Sequence, residues 1–319
     1  MKRQISVALC AALAISVAGC TDGPVGPVGD LGGGRDLSSR PVDMTDLTAI
    51  DPLAGNPPVT KLNTGIAFTF TQSPLWVAQA GVLLFSDTPN NLVYQFTPPS
   101  TLAPYRMTSG GTNGLALDPQ GNVVVTEITA QRVSRREQAG TYTPIVSMYM
   151  GKPLNGPNDL TVRSDGTIYF TDPQPQQLSF EGLYRIAPGG TVPVLLDQTM
   201  KFPNGITLSV DEKTLYVAAA TDGKIYKFPV NGDGTLGTRV DFATGLGSCD
   251  GLTVDDAGNV YAATTAGIRI FRPDGSQRGS LVVPEPPSNL GFGGADRKTL
   301  FISARTSMYQ IQLQVPGKP

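Results

Sequence analysis

The tetrapeptide Pro157-Asn158-Asp159-Leu160 is one copy of a short motif that recurs along this chain. Each copy places a polar residue before an apolar strand, a turn and a second apolar strand. The other copies, two of them looser, are Gln72-Ser73-Pro74-Leu75, Thr112-Asn113-Gly114-Leu115, Pro203-Asn204-Gly205-Ile206, Cys249-Asp250-Gly251-Leu252 and Ser288-Asn289-Leu290. A period of roughly 40 to 47 residues, repeated about six times, is typical of the blades of a β-propeller.

Within each period, strand-forming runs alternate with tight turns. In the third copy, Leu160-Thr161-Val162 is followed by the turn Ser164-Asp165-Gly166 and by the strand-like run Thr167 to Asp172. Further apolar runs, such as Gln131 to Arg136, complete each unit. We therefore predict an all-β fold, a six-bladed β-propeller with about four strands per blade, over residues 60–319.

The two ends of the predicted ring leave one blade incomplete. The last unit ends after the run Met308 to Leu313, whereas Gly65 to Thr71 has strand character but no unit of its own. We predict that this N-terminal strand completes the last blade as its outermost strand. Such closure would protect the ring from opening at an exposed edge.

Composition narrows the possible functions. The formal net charge of the 319 residues is -2 at pH 7, so no basic face is indicated and nucleic acid is not an expected partner. The chain contains no histidine, which excludes a Ser-His-Asp triad, a histidine-bound zinc or copper ion and a histidine proton shuttle. Any chemistry must therefore use carboxylates, amides, Lys, Tyr or a hard metal ion.

The first residues are typical of an export signal. Lys2 and Arg3 form a basic start, Ile5 to Val17 is an apolar stretch too short to span a bilayer, and Val17-Ala18-Gly19-Cys20 reads as a bacterial lipobox. Residues 1–19 are thus predicted to be a lipoprotein signal peptide, with Cys20 lipidated after cleavage. The alternative is an ordinary signal peptide that happens to contain Cys20.

Residues 20–59 are rich in Gly and Pro and predict a flexible linker between the lipid and the propeller. We expect an exported bacterial lipoprotein, anchored at the periplasmic face or the cell surface. The membrane is expected to meet the protein through the lipid anchor only, and the folded unit is expected to be a monomer that acts on a small molecule.

The cysteines of the mature chain leave no pair for a disulfide. Cys10 is predicted to leave with the signal and Cys20 to carry lipid, so Cys249 has no partner. We expect Cys249 to be a small buried residue. A nucleophilic role is disfavoured, because the neighbouring Asp250 raises the pKa of a thiol instead of lowering it.

The polar residue of each motif can be placed in the predicted ring. Equivalent positions of successive blades lie around the central channel, at one end of it. These positions hold Gln72, Asn113, Asn158, Asn204 and Asp250. Amide and carboxylate oxygens suit a hard divalent cation, calcium above all, and suit neither zinc nor copper. The alternative is that Asn-Gly, Asn-Asp and Asp-Gly serve only as turns.

Longer segments of the chain carry a resemblance to a known family. They are Ser73-Pro74-Leu75-Trp76, Leu84-Phe85-Ser86-Asp87, Pro89-Asn90-Asn91, Gly151 to Leu160, Asp165 to Pro173, Pro203-Asn204-Gly205 and Asp250-Gly251. In these segments the chain resembles the gluconolactonase/regucalcin family of six-bladed, calcium-dependent lactonases, which includes senescence marker protein-like members. The resemblance spans roughly residues 66 to 313.

The resemblance implies a role for each residue of the ring. Asn204 and Asp250 fall on calcium ligands of the family, and Asn158 falls on an asparagine that binds metal or substrate. Asn113 lies in the same ring and is assigned to substrate binding. The resemblance further implies that calcium polarises a lactone carbonyl while Asp250 activates water as the catalytic base.

The chain also departs from the family pattern. Gln72 stands where the family has a glutamate ligand, so it offers one carbonyl oxygen and no charge, and the affinity for calcium should be lower. Ile128 and Ala219 stand where a histidine and an aspartate are common. Two functions therefore stay open: a calcium-dependent hydrolase of a sugar lactone or related small ester, and a non-catalytic tethered propeller that binds a small molecule or protein.

Overall fold

The structure, a computed structural model, describes residues 47–318. In chain order, the strands of the first half are β1 (Thr60–Lys61), β2 (Thr71–Val77), β3 (Val82–Asp87), β4 (Leu92–Thr97), β5 (Thr101–Arg106), β6 (Thr112–Leu117), β7 (Val123–Glu127), β8 (Arg132–Arg136), β9 (Tyr142–Val146), β10 (Met148–Tyr149), β11 (Lys152–Pro153), β12 (Leu160–Val162), β13 (Ile168–Asp172), β14 (Gly182–Ile186) and β15 (Pro193–Asp197). A short 3-10 helix, Thr88–Asn90, follows β3.

The strands of the second half are β16 (Pro203–Leu208), β17 (Thr214–Ala219), β18 (Lys224–Pro229), β19 (Val240–Ala243), β20 (Cys249–Val254), β21 (Val260–Thr264), β22 (Gly267–Phe271), β23 (Gln277–Leu281), β24 (Asn289–Gly293), β25 (Thr299–Ala304) and β26 (Ser307–Gln312). No helix within residues 47–318 is long and apolar enough to cross a membrane.

Within residues 47–318, all strands except β10 and β11 form six antiparallel four-stranded sheets, the blades of the propeller, and β10 and β11 pair in a separate two-stranded sheet. Five blades run in simple chain order, β2 to β5, β6 to β9, β12 to β15, β16 to β19 and β20 to β23, and the sixth has the order β1-β26-β25-β24. The inner strands are β2, β6, β12, β16, β20 and β24, and each contacts the inner strand of the next blade around the ring, with β24 returning to β2. The predicted all-β, six-bladed propeller is confirmed.

The outermost strand of the sixth blade differs from the predicted segment. Thr60–Lys61 pairs with β26 through Thr60 opposite Gln310 and Lys61 opposite Tyr309. The segment Gly65 to Thr71, predicted for this place, forms a loop instead, and its last residue begins β2. The assignment of Gly65 to Thr71 to the outer edge is therefore corrected.

The physical reason lies in the hydrogen bonds of that loop. The backbone N–H groups of Thr69 and Phe70 donate to the buried carboxylate of Asp87, at 2.9 to 3.2 Å. The ring of Phe68 packs edge-on against Phe85. Because a side chain already satisfies these donors, the loop passes over the end of the first blade and does not join a sheet.

The core is divided into layers between neighbouring blades. Val124 and Val133 of the second blade pack with Phe170 and Tyr184 of the third, for example. Trp76 of the first blade stacks on Phe301 of the sixth at 5.6 Å between ring centroids, so the same layering holds at the closure of the ring. Each blade therefore buries its β-branched and aromatic residues against the next blade.

The chain before β1 also contacts the last two blades. The Arg278 guanidinium donates to the carbonyl oxygen of Thr48 at 3.1 Å, and the Gln314 N–H donates to the carbonyl oxygen of Pro52 at 3.1 Å. These contacts involve the end of the segment predicted as a linker. The predicted signal peptide, residues 1–19, and the lipidation site Cys20 lie outside the described residues.

Candidate functional site

The repeated motif corresponds to a local irregularity at the start of the inner strands. In four blades the register between the first and second strands shifts within the motif, between Gln72 and Leu75 in the first blade and between Cys249 and Leu252 in the fifth. The equivalent shifts in the second and fourth blades lie at Thr112/Leu115 and Pro203/Ile206. A bulge of this kind redirects a side chain relative to the sheet, and in these four blades it lies at the polar residue of the motif.

Hydroxyl groups of the second strands hold these bulges in place. Ser86 Oγ donates to the Asn113 carbonyl oxygen at 2.9 Å, Thr126 Oγ1 to that of Asn158 at 2.6 Å, and Thr171 Oγ1 to that of Asn204 at 2.8 Å. Each bond joins one blade to the next. The sequence analysis did not find these residues, although a hydroxyl residue followed by an acid recurs at Ser86-Asp87, Thr126-Glu127 and Thr171-Asp172.

The acids that follow these hydroxyls fix the loops around the mouth of the channel. Asp172 accepts hydrogen bonds from the N–H groups of Asn155 and Gly156 at 2.9 and 2.7 Å. Burial nevertheless raises the pKa of Asp172 to about 6, and these two N–H bonds oppose the rise. Asp87 holds a loop in the same way, as described above.

Glu127 differs from these two aspartates. Its buried carboxylate pairs with the guanidinium groups of Arg106, at 2.6 Å, and Arg132. Arg106 also donates to Thr112 Oγ1 at 3.1 Å, next to the bulge of the second blade. One carboxylate therefore binds two arginines beside the mouth.

The ring residues lie together at one end of the channel, in two hydrogen-bonded groups. Gln72 Nε2 donates to Asp250 Oδ2 at 3.4 Å, and the Asn204 side chain also hydrogen-bonds the Asp250 carboxylate. Asn113 Nδ2 donates to the backbone oxygen and to Oδ1 of Asn158, at 3.0 and 3.2 Å. The five residues identified from the repeat thus converge in space, while their individual roles stay predictions.

Asn113 differs from the other amides because its polar atoms are engaged. Its Oδ1 accepts a hydrogen bond from Thr88 Oγ1 at 3.1 Å, and its Nδ2 is bound to Asn158. We infer that Asn113 orients Asn158. The predicted substrate contact of Asn113 is not tested by these bonds.

Two amide oxygens of the ring have no partner among residues 47–318. Gln72 Oε1 and Asn204 Oδ1 are buried, and none of these residues donates a hydrogen bond to either atom. A buried polar atom without a partner is costly, and such an atom in a native site usually has an ion, a water molecule or a ligand as its partner. Both oxygens belong to side chains that hydrogen-bond the Asp250 carboxylate. The site therefore contains two uncharged amide oxygens next to one carboxylate.

The electrostatics of Asp250 follow from its surroundings. Burial of its carboxyl among the inner strands, together with the negative charge of Asp159, raises the pKa to about 7. The hydrogen bonds from Gln72 and Asn204 and the positive charge of Arg305 oppose the rise. A carboxylate with a pKa near neutrality can take up a proton under physiological conditions.

The donor set fits a hard divalent cation. Amide and carboxylate oxygens are the ligands that calcium prefers, and the two unpaired amide oxygens, the Asp250 carboxylate and the half-buried Asn158 supply them. No group of three or more His, Cys, Asp or Glu side chains suited to a metal occurs in residues 47–318. Any cation in this ring would therefore depend on amide oxygens, with Asp250 as the acidic ligand.

Asp159 is a further residue that the sequence analysis left without a role. It is 5% exposed, and Asn289 Nδ2, from the opposite side of the ring, donates to its Oδ2 at 3.4 Å. Burial raises the pKa of Asp159 to about 6. The third and sixth copies of the motif thus meet across the channel beneath the ring.

The remaining positions noted in the sequence have plain structural roles. Cys249 is a free, fully buried thiol, and burial together with the charge of Asp250 raises its pKa, as expected. Ala219 is fully buried at the end of β17. Ile128 lies against Gly156, where an added Cβ would be 3.2 Å from Ile128 Cγ2. An apolar side chain therefore stands beside the loop that leads to Asn158.

The fold and the ring together define a class: six-bladed propellers with an oxygen-rich site at one end of the axial channel. Residues 70–306 match the family described as SMP-30/Gluconolactonase/LRE-like region, and the chain belongs to that family. The chain is similar to the gluconolactonase of Zymomonas mobilis subsp. mobilis, with 30% identity over 285 residues that cover 78% of this chain and 80% of that protein.

Solved structures agree with this assignment. A gluconolactonase from Xanthomonas campestris shares 31% identity, covers 81% of this chain and 90% of its own, and superposes with a TM-score of 0.73. Regucalcin from Agrobacterium tumefaciens, a calcium-binding protein, superposes with a TM-score of 0.70 over 81% of this chain and 95% of its own. At 17% identity the likeness to regucalcin shows the fold alone.

Proposed function

We propose that this protein is a calcium-dependent hydrolase of a sugar lactone or related small ester, with Asp250 as the catalytic base. The observation that carries the proposal is the pair of buried, unpaired oxygens, Gln72 Oε1 and Asn204 Oδ1, beside the Asp250 carboxylate. The similarity to gluconolactonases from two bacteria supports a sugar lactone as the substrate class.

Four side chains would hold the cation: Gln72, Asn158, Asn204 and Asp250. When bound, the cation supplies Lewis-acid polarisation of the lactone carbonyl. The amide nitrogens of Gln72 and Asn204 keep the Asp250 carboxylate oriented, so both of their oxygens stay available for the cation.

Asp250 would move the proton of the reaction. Its carboxylate takes a proton from a water molecule as the water oxygen forms a bond to the lactone carbonyl carbon. The ring C–O bond then breaks, and the proton passes to the leaving oxygen, which becomes a hydroxyl group. Asp250 serves both steps only if its pKa lies near the working pH, because a base that is too acidic would accept the proton poorly and one that is too basic would not release it.

The setting of this activity follows from the sequence. We propose that a lipid on Cys20 tethers a monomeric propeller at the periplasmic face or the cell surface, where it meets small-molecule substrates. Mass spectrometry of the mature N-terminus checks this point, since an unmodified Cys20 would contradict it.

The catalytic proposal is tested by hydrolysis of a lactone panel, with glucono-1,5-lactone first. We expect calcium-dependent turnover that a chelator abolishes, and a loss of about a hundredfold or more in kcat for Asp250→Asn. Asp241→Asn is the matched control, because Asp241 is an exposed carboxylate on β19 that pairs only with Lys224 among the described residues.

Two outcomes decide against the proposal in different ways. Turnover that neither the chelator nor Asp250→Asn reduces would contradict the mechanism. No turnover of any lactone, with intact binding of small molecules, would favour the non-catalytic propeller.

A further inference from the structure

A turn at the mouth of the channel carries a positive charge that the proposed chemistry does not use. Arg305 and Thr306 connect β25 to β26, and the Arg305 carbonyl oxygen accepts hydrogen bonds from the N–H and Oγ1 of Thr71, at 2.9 and 3.3 Å. Thr71 directly precedes Gln72 in the chain. The backbone of Arg305 is thus tied to the ring of site residues.

The guanidinium of Arg305 has no acidic partner. Within residues 47–318 no carboxylate lies within 4.0 Å of it, and its Cζ lies 5.2 Å from the ring centroid of Phe70. Glu285, an acid bonded to this turn, accepts hydrogen bonds from Thr306 and from Tyr309 Oη. Glu285 therefore holds the turn and leaves the arginine available.

The other arginines described at the mouth differ from Arg305. Arg106 and Arg132 share the carboxylate of Glu127. Arg305 is exposed, and its backbone is bonded to Thr71, the residue directly before Gln72 of the ring. An aromatic ring beneath a guanidinium limits the directions in which it can point.

We propose that Arg305 is a specificity-determining residue that binds an anionic substituent of the substrate, which makes acidic lactones the preferred substrate class. Arginine binds carboxylate, phosphate and sulfonate groups through paired N–H donors. A neutral lactone needs no such partner, whereas an acidic one would otherwise be repelled by Asp250 and Asp159. The inference rests on the proposed lactonase function.

Binding of product-like acids tests the inference without turnover. Isothermal titration calorimetry would compare 6-phosphogluconate and glucarate with gluconate, which has one anionic group fewer. We expect at least one of the two acidic probes to bind about tenfold or more tightly than gluconate, and Arg305→Ala to remove that preference. Arg305→Lys should retain part of it, and added salt should weaken it.

Kinetics provide the second readout. For 6-phosphoglucono-1,5-lactone, Arg305→Ala should raise KM about tenfold, and for glucono-1,5-lactone by no more than about twofold, while any change in kcat should be equal for the two lactones. Arg269→Ala is the matched control, because Arg269 also lies over a phenylalanine, at 5.3 Å from the Phe271 ring, but on the third strand of its blade.

The outcomes separate the inference from the proposed function. Equal affinity of the unaltered protein for gluconate, glucarate and 6-phosphogluconate would overturn the inference. It would also be overturned if Arg305→Ala raised KM equally for 6-phosphoglucono-1,5-lactone and glucono-1,5-lactone, or if Arg269→Ala had the same effect as Arg305→Ala. If the unaltered protein hydrolysed no lactone but still bound the more acidic probes preferentially through Arg305, the proposed function would be contradicted and the inference about Arg305 would stand.

Discussion

Gln72 is the residue on which the strength of the proposed metal site depends. The sequence predicted a weaker site, because an amide brings no charge where the family has a glutamate. The structure adds a second role, since Gln72 Nε2 donates to Asp250 while Oε1 stays free. A glutamate could not donate that bond, and its charge would lie beside Asp250.

Replacement of this residue is therefore expected to have two opposite effects. Gln72→Glu should raise the calcium affinity about tenfold or more, because affinity rises with the number of charged ligands. In chelator the same variant should have a lower Tm, because two carboxylates then repel each other in a buried site. Calorimetric titration and thermal unfolding measure both effects.

Gln120→Glu is the control for this experiment. Gln120 is exposed in the turn between β6 and β7, so the variant adds the same charge away from the ring. Unchanged calcium affinity in Gln72→Glu would contradict the assignment of Gln72 as a ligand. A change of similar size in Gln120→Glu would show that net charge alone was responsible.

At the scale of the element, the inner strand is built so that neighbouring strands can come very close. A Cβ on Gly251 would lie 2.1 Å from Asn289 Oδ1, and one on Gly205 would lie 2.2 Å from the Asp250 carbonyl oxygen. The glycine of the motif is therefore required by the close packing of neighbouring inner strands, in addition to any turn it forms. It lets the next blade pass directly behind the residue that faces the channel.

Gly251→Ala should consequently destabilise the fold by about 1 to 3 kcal/mol, because the added methyl group forces adjacent inner strands apart. Chemical denaturation gives the free energy of unfolding. Gly232→Ala is the matched control, because nothing lies within 4 Å of its added Cβ. Equal stability of the two variants would mean that the inner strands can separate at little cost.

At the scale of the whole molecule, closure joins distant parts of the chain. Thr60–Lys61 pairs with β26 at the outer edge, and Trp76 stacks on Phe301 between the first and sixth blades. At the end of the channel opposite the ring, the N–H groups of Gly317 and Lys318 donate to the carbonyl oxygens of Arg297 and Val254. The ring is thus closed by both ends of the described chain.

Three acids in and around the channel make stability depend on pH. Burial raises the pKa of Asp159 and of Asp172 to about 6, and that of Asp250 to about 7, from an ordinary 3.8. Between the ordinary pKa of 3.8 and the raised values, the folded chain keeps protons that the unfolded chain has released. Without a cation, the stability from these acids should therefore be fully present below the ordinary pKa and be lost as the pH rises through about 6 to 7.

Thermal unfolding in chelator, from roughly pH 4.5 to pH 8, measures this dependence. We expect Tm to fall by several degrees across the range. Calcium should offset the fall at the upper end, because a cation favours the ionised form of Asp250. A Tm in chelator that rises or stays level over this range would contradict the buried-acid account.

The number of blades, the strand content and the residues of the ring could be predicted from the amino-acid sequence. Alternation of apolar residues and turns is local, and a fixed period brings equivalent residues such as Asn158 and Asn204 to equivalent places. Only the tertiary structure showed the bonds from Thr126 and Thr171 to the next blade, the meeting of Asp159 with Asn289, the charge of Arg305 at the mouth and the true closing strand. These features join residues far apart in the chain, and such partners are set by the closure of the ring rather than by any local pattern.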